Sequence, residues 1–313
     1  MRVLALVPGQ METQLSFFPV ISQIKQSFAN VEVSVVASPA ATPIYQLSKG
    51  VAEVVPYNFA APNSPADWAN LLGIVRDREF DVALTLTHSW SIALLLWLSG
   101  VPTRLGYGGA ANDLLLTTTV PRRTGTAAYS DLLGLINVTG APPALSVNVP
   151  RSDLTAVESM RQGTGLENGY VLVYPGPTAS GTTYPTESWV AILKDFRQRQ
   201  PDMPLALLQT NEAGSQAAEL ASAVPDLKIL RPETPGQTAA MVAAANLLVG
   251  VTGYPLGLAI ALNVYTVGLL SANDAALPSG PAGDRLITLT STTGTLADIA
   301  PDQVLKKIWS EDA

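Results

Sequence analysis

Short apolar and β-branched runs alternate with stretches of helical periodicity along this chain, and the whole alternation occurs twice. In the first half the strand-like runs are Val3–Val7, Val31–Ala37, Ala52–Pro56, Asp81–Leu86 and Arg104–Tyr107, each bounded by Gly, Pro, Asn or Asp. Between them Leu15, Phe18, Val20, Ile21, Ile24 and Phe28 recur at spacings near three and four, as do Trp68, Leu71, Leu72 and Val75, which is one face of a helix. In the second half strands are expected at Tyr170–Tyr174, Leu205–Gln209, Lys228–Leu230, Leu247–Gly250 and Val264–Leu269, with helices over 186–199, 214–223, 236–245 and 254–262. Strands separated by helices predict an α/β chain with parallel sheets covered on both sides.

Length then fixes the number of cores. A chain of 313 residues, 47% of them hydrophobic, exceeds what one core usually holds, since single cores stop growing at ~250 to 300 residues. The segment "NVTGAPPALSVNVP" (137–150) is rich in Pro, Gly and small residues, as a linker would be, so the expected domains are 1–145 and 146–313. Two open α/β domains predict a cleft between them, with ligands outside the carboxyl ends of the strands. The loops that matter are therefore those after Val7, Leu86, Tyr174, Gln209, Gly250 and Leu269.

Composition excludes several functions. A formal charge of −7, a pI near 4.7 and the lack of any basic block argue against nucleic acid or anionic lipid as a partner, because binding either depends mainly on clustered Lys and Arg. No cysteine means no disulfide or thiolate nucleophile, and a single histidine, His88, leaves no multi-histidine metal site, so no metal is expected. The opening "MRVLALVPG" reads as a first buried strand and not as a signal peptide. The longest apolar runs, "IALLLWL" (92–98) and "YPLGLAIAL" (254–262), fall short of the ~20 residues that cross a bilayer and are read as buried helices. No transmembrane segment is expected, and the expected location is the cytoplasm, with a peripheral position at the inner face of a membrane as a variant of it.

The stretch "VYPGPTASGTTYPTESW" (173–189) has the layout of a phosphate-binding turn: a strand end, a Pro-Gly corner, small residues, then a helix start, where unpaired backbone N–H groups and the helix dipole favour an anion. Yet no Lys or Arg occurs between Arg161 and Lys194, nor between Arg231 and Arg285. Hydroxyls of Thr178, Ser180, Thr182, Thr183 and Thr252 remain as candidate ligands. "GTGLENG" (163–169) precedes a strand and lacks the dinucleotide-binding spacing.

The stretches "PGQMETQLSFFPVISQIKQSFANVEVSVVAS", "LTHSWSIALLLWLSGVPTRLGYGG", "DLLLTTTVP", "YVLVYPGPTASGTTYPTESWVAILKDF" and "NLLVGVTGYPLGLAIALNVYTVGLL" follow one another as in glycosyltransferase family 9, which nearly the whole chain resembles. These are bacterial heptosyltransferases that move a heptose from ADP-heptose onto lipopolysaccharide core, and the second heptosyltransferase type is most similar around His88-Ser89-Trp90. The resemblance implies a GT-B fold, two Rossmann-like domains with mostly parallel sheets facing a central cleft. It implies acceptor binding by the first domain, donor binding by the second, transfer with inversion, and no cofactor. The family's Gly-Asp pair, whose Asp is the general base, falls on Glu12 and Thr13; Glu12 alone of the two can take a proton, its bland alternative being an acid at a helix start. The family's donor-phosphate Lys falls on Thr182, followed by Thr183 and Tyr184, and its Asn-Asp-Thr-Gly-Pro-Met-His falls on Val251-Thr252-Gly253-Tyr254-Pro255-Leu256-Gly257. Glu233 sits where the resemblance places base or ribose contacts, or caps the next helix. His88, Ser89 and Arg104, with Arg122 and Arg123, are the acceptor-side candidates.

Two functions of different class follow. One is hexosyl or heptosyl transfer from a nucleotide-diphosphate sugar to a glycan or lipopolysaccharide-type acceptor, with Glu12 as base. The other is a catalytically silent protein of the same fold that binds a ligand or a protein partner as a scaffold or assembly factor. A solute-binding protein of two α/β lobes would need an export signal.

Overall fold

The computed structural model describes residues 1–60, 64–109, 111–121, 127–177, 183–210, 216–274, 277–281 and 285–309, with 127–130 as backbone only. The chain divides into two compact units, Met1–Leu145 and Ser146–Ala313.

The first unit runs β1 (Arg2–Val7), α1 (Met11–Ser27), β2 (Glu32–Ala37), a 3-10 segment (Pro39–Leu47), β3 (Val51–Pro56), α2 (Pro65–Asp77), β4 (Val82–Thr85), α3 (Trp90–Ser99), β5 (Thr103–Tyr107), α4 (Asn112–Leu115), β6 (Thr118–Val120) and α5 (Ala127–Gly134). Its sheet has the order β3-β2-β1-β4-β5-β6 with every pair parallel. Helices cover both faces, which is why the central strand is a continuous apolar run: Val3 to Val7 are all buried. Helix α2 starts at a capping box, Ser64 Oγ accepting from the Asp67 N–H and the Asp67 carboxylate accepting from the Ser64 N–H, with Pro65 preset for the first turn.

The second unit runs α6 (Arg151–Arg161), β7 (Val171–Tyr174), α7 (Thr186–Arg199), β8 (Leu205–Leu208), α8 (Gln216–Ala223), β9 (Lys228–Leu230), α9 (Pro235–Ala243), β10 (Leu247–Val251), α10 (Tyr254–Ala261), β11 (Tyr265–Leu270), β12 (Leu286–Thr290) and α11 (Pro301–Trp309). Its sheet is β12-β11-β10-β7-β8-β9, again all parallel. Counted from each unit's own first strand, both sheets read 3-2-1-4-5-6, the order of nucleotide-binding folds. The order reverses between β1 and β4 in one unit and between β7 and β10 in the other. A ligand crevice belongs at the carboxyl ends of those pairs.

The α/β reading of the sequence holds, and helix 186–199 matches α7. Strands β6 and β12 carry no clear sequence signal; both are edge strands, and the half-exposed β12 alternates where a buried strand would be continuously apolar. One expectation is corrected. The run "IALLLWL" forms a helix that is buried only in part: Ile92, Ala93, Leu95 and Leu96 are in the core, but Trp97 and Leu98, with Trp90 just before the run, are 51%, 43% and 61% exposed. Seven consecutive apolar residues spread around all sides of a helix at about 100° each, so one pack of neighbours cannot cover them. No helix among the described residues is long and apolar enough to cross a membrane.

Candidate functional site

At the first switch point β1 leads through Pro8 and Gly9 into α1. Gly9 has φ +118°, and a Cβ there would lie 2.7 Å from Thr13 Oγ1, so the expected site residue Thr13 serves as the cover of a tight turn. The turn is held by a residue the sequence reading missed. Gln14 is fully buried, its Nε2 donates to the Val7 carbonyl at 2.9 Å, and its Oε1 accepts from the Tyr45 hydroxyl at 2.6 Å. Glu12 stands half-buried in the first turn of α1.

Across the switch point the β4–α3 loop presents His88 and Ser89. The Thr85 and Thr87 hydroxyls lie 3.0 Å apart and the Thr87 hydroxyl accepts from the Ser89 N–H at 3.4 Å, which shapes the loop. The His88 ring stacks on Tyr107 with 5.2 Å between centroids and 18° between planes. These residues open onto a cavity of about 800 Å³ whose other walls are Pro8, Tyr57, Phe59, Trp68, Trp90 and Leu94. Trp68 fixes its back by donating Nε1–H to the Ser91 carbonyl at 3.1 Å. None of its lining residues is Asp, Glu, Lys or Arg, and burial, with the Asp67 charge second, pushes the Tyr57 phenol up. The pocket is neutral and aromatic. It gathers His88 and Ser89, while Glu12 and Thr13 are not among its lining residues.

Arg104 goes elsewhere. It lies near the start of β5, the amino end of the sheet, where its Nη1 donates to the Val101 carbonyl at 2.6 Å and its Nε to the Leu115 carbonyl at 3.0 Å. In a parallel sheet that end is opposite to the loops carrying His88. Arg104 therefore pins α4 to the sheet. Arg122 and Arg123 lie outside the described residues.

At the second switch point Tyr174 ends β7 opposite Gly250 of β10. Its fully buried ring lies against the start of α10: a Cβ on Gly253, φ +155°, would come within 2.8 Å of it. Thr252, an expected donor ligand, is committed to a carboxylate instead, its Oγ1 donating to Asp274 Oδ2 at 2.5 Å. The same oxygen accepts from the Ser271 N–H at 2.7 Å. At α10 the Leu256 and Gly257 N–H groups already reach the Gly253 carbonyl, and Pro255 has none, so little of the expected anion cradle is left. At α7 the first turn carries Glu187, and the Thr186 hydroxyl donates to Glu219 at 3.0 Å. Tyr184 is core, not ligand. It lies edge-on to Trp189 at 5.0 Å and donates to the Ile299 carbonyl at 2.9 Å, and burial pushes its phenol up to about 12.

Thr183 is exposed beside this loop, whereas Thr178, Ser180 and Thr182 lie outside the described residues. Glu233 is exposed ahead of α9, its N–H donating to Gln237 Oε1, while the neighbouring Thr234 caps that helix by accepting from the Gln237 N–H. A cation does reach this end of the sheet: Arg231, after β9, donates to Gln209 Oε1 at 2.9 Å, but β9 is two strands from β7. Asp274 was the residue to find. The loop after β11 was legible as one that matters, and only the fold shows that its acid comes back to Thr252. Among the described residues no three His, Asp or Glu gather as a metal would require.

A family model for glycosyltransferase family 9 (heptosyltransferase) matches residues 68–308. The chain is 23% identical over 332 residues to the photosynthetic NDH subunit of subcomplex B 1, chloroplastic, of Arabidopsis thaliana, covering 95% of this chain and 71% of that protein. It is 20% identical over 271 residues to lipopolysaccharide heptosyltransferase 3 of Escherichia coli, covering 82% and 79%. In fold it is similar to the E. coli ADP-heptose lipopolysaccharide heptosyltransferase II, with a TM-score of 0.81 at 18% identity over 98% of this chain and 97% of that one.

Proposed function

The chain belongs to glycosyltransferase family 9, and from that premise we propose that it is a catalytically silent member whose nucleotide-type fold serves as a binding subunit of a protein assembly. The observation that carries this reading is the Thr252–Asp274 pair. A diphosphate needs positive charge at the switch point, and here the hydroxyl is turned onto a carboxylate. Losing one electrostatic contact to a leaving group costs ~3 to 4 kcal/mol of barrier. A carboxylate ~5 Å from a phosphate adds roughly 3 kcal/mol of repulsion per charge pair at an effective dielectric constant of ~20. Together these outweigh what one or two backbone N–H groups return.

Two further observations support the reading. Trp90, Leu94, Trp97 and Leu98 occupy one side of α3, and with Leu114, 84% exposed, they leave large apolar side chains in water, as interaction surfaces do. One relative, similar over 95% of this chain, is by its name a subunit of a subcomplex. The α3 face is the proposed contact, and the proposed working place is the aqueous side of the assembly.

The test is a thermal-shift and turnover panel with ADP, UDP, GDP and their sugars, ADP-heptose included. No shift at millimolar concentration and no transfer are expected; a specific shift with turnover would refute silence. Family membership and a carboxylate in the first turn of α1 favour the second reading, inverting transfer from a nucleotide-diphosphate sugar to a glycan acceptor. That reading requires Glu12→Gln to abolish any transfer observed.

A further inference from the structure

The amino end of the second sheet, opposite to the switch point, carries a separate cavity of about 280 Å³. Its floor is the start of four strands, Val171 of β7, Leu247 of β10, Val267 of β11 and Ile287 of β12. Phe196 of α7 and Ile308 and Trp309 of α11 close it from above, with Met203 at one side. The walls are almost wholly apolar. Its charged lining residues are Arg285 and Lys307, both cations.

That charge is unusual for this molecule. The unit Ser146–Ala313 has 10 basic residues against 16 acidic ones, yet both charged residues that line this cavity, Arg285 and Lys307, are cations. Arg285 lies 4.8 Å above the Tyr265 ring, gives one Nη1–H to the Asn263 carbonyl, and pairs with no carboxylate among the described residues. The nearby acid, Asp195, is already neutralised, accepting from Arg199 at 3.1 Å and from Trp309 Nε1 at 2.8 Å. An apolar hole with a cationic rim selects a ligand with an apolar chain and an anionic end.

We propose that this cavity binds a free single-chain anionic amphiphile of medium length, its acyl chain lying over Val171, Val267 and Ile287 and its carboxylate meeting Arg285. A peptide fits less well. Besides the two cations the polar lining residues are Gln200, Asn246 and Thr266, and the Thr266 hydroxyl is turned to the Val264 carbonyl at 2.8 Å, so most of a peptide's backbone groups would go unpaired against the apolar walls.

The experiment is calorimetric titration of the full chain with hexanoate, octanoate and decanoate, each below its micellar concentration, with decanol alongside. One saturable site is expected, tightening about fourfold per added methylene as apolar surface is buried. Arg285→Gln should weaken decanoate about tenfold and leave decanol unchanged, and Ile287→Phe should abolish both by filling the cavity. If Ile287→Phe fails to fold, the Arg285→Gln comparison alone decides. Affinity independent of chain length, or unchanged in Arg285→Gln, would overturn the proposal. So would sedimentation with phosphatidylglycerol vesicles in the absence of decanoate binding, which would assign the cationic rim to a membrane surface.

Discussion

The Thr252 hydroxyl donates to the Asp274 carboxylate at 2.5 Å, joining two loops at the carboxyl end of the second sheet. Asp274→Asn tests what that pair does. The variant loses a charged acceptor shared by Thr252 and Ser271 and should be about 1 to 2 kcal/mol less stable in urea. It also removes the charge that repels phosphate, so millimolar ADP should raise its melting temperature while leaving the parent unmoved. An equal response in both proteins would remove Asp274 from the explanation.

Gly253→Ala should destabilise by about 1 to 3 kcal/mol. The new Cβ meets the Tyr174 ring at 2.8 Å in a backbone region that L-residues avoid, and the ring is locked in the core. Chemical denaturation measures this directly. Gly109→Ala, also at positive φ but with no atom of the described residues within 4 Å of its Cβ, should cost less, which separates crowding from backbone strain.

Trp97→Ser on α3 should cost about 1 to 2 kcal/mol, because only half of the side chain is packed on the protein and the rest is in water. Its larger effect should appear in assembly: co-purification of the chain with its native partners from the source cells should fall or vanish at temperatures where the variant is still folded. Retained co-purification with both Trp97 and Leu98 changed to Ser would direct the assembly to another face.

Alkaline unfolding should start early. Burial pushes the Tyr184 phenol up to about 12 and the Tyr170 phenol up as well, so the folded form keeps protons that the unfolded chain releases above pH ~10. The stability is whole below that pH and is lost as pH rises toward 12, most steeply between the two values. Tyr184→Phe should flatten part of the slope and cost about 1 kcal/mol at neutral pH through the lost bond to the Ile299 carbonyl. A slope unchanged in the variant would assign the alkaline loss to other groups.

The candidate site was legible in part. The loops after β1, β4, β7, β10 and β11 can be named from the chain, because a parallel strand ends where its apolar run ends. What those loops do to one another cannot: Thr13 reads as a displaced catalytic position and is in fact packed on Gly9, and Arg104 reads as an acceptor ligand and is spent on two carbonyls at the wrong end of its sheet.

The sequence by itself determined the two α/β halves, since burial on both faces of a parallel sheet forces runs such as Val3–Val7 and Val171–Tyr174 to be apolar throughout, and that is a local pattern. Only the tertiary structure decided that Asp274 faces Thr252, that four aromatic side chains wall a neutral pocket beside His88, and that α3 keeps two tryptophans in water. Strand order makes neighbours of residues far apart in the chain. No local pattern of side chains carries that information.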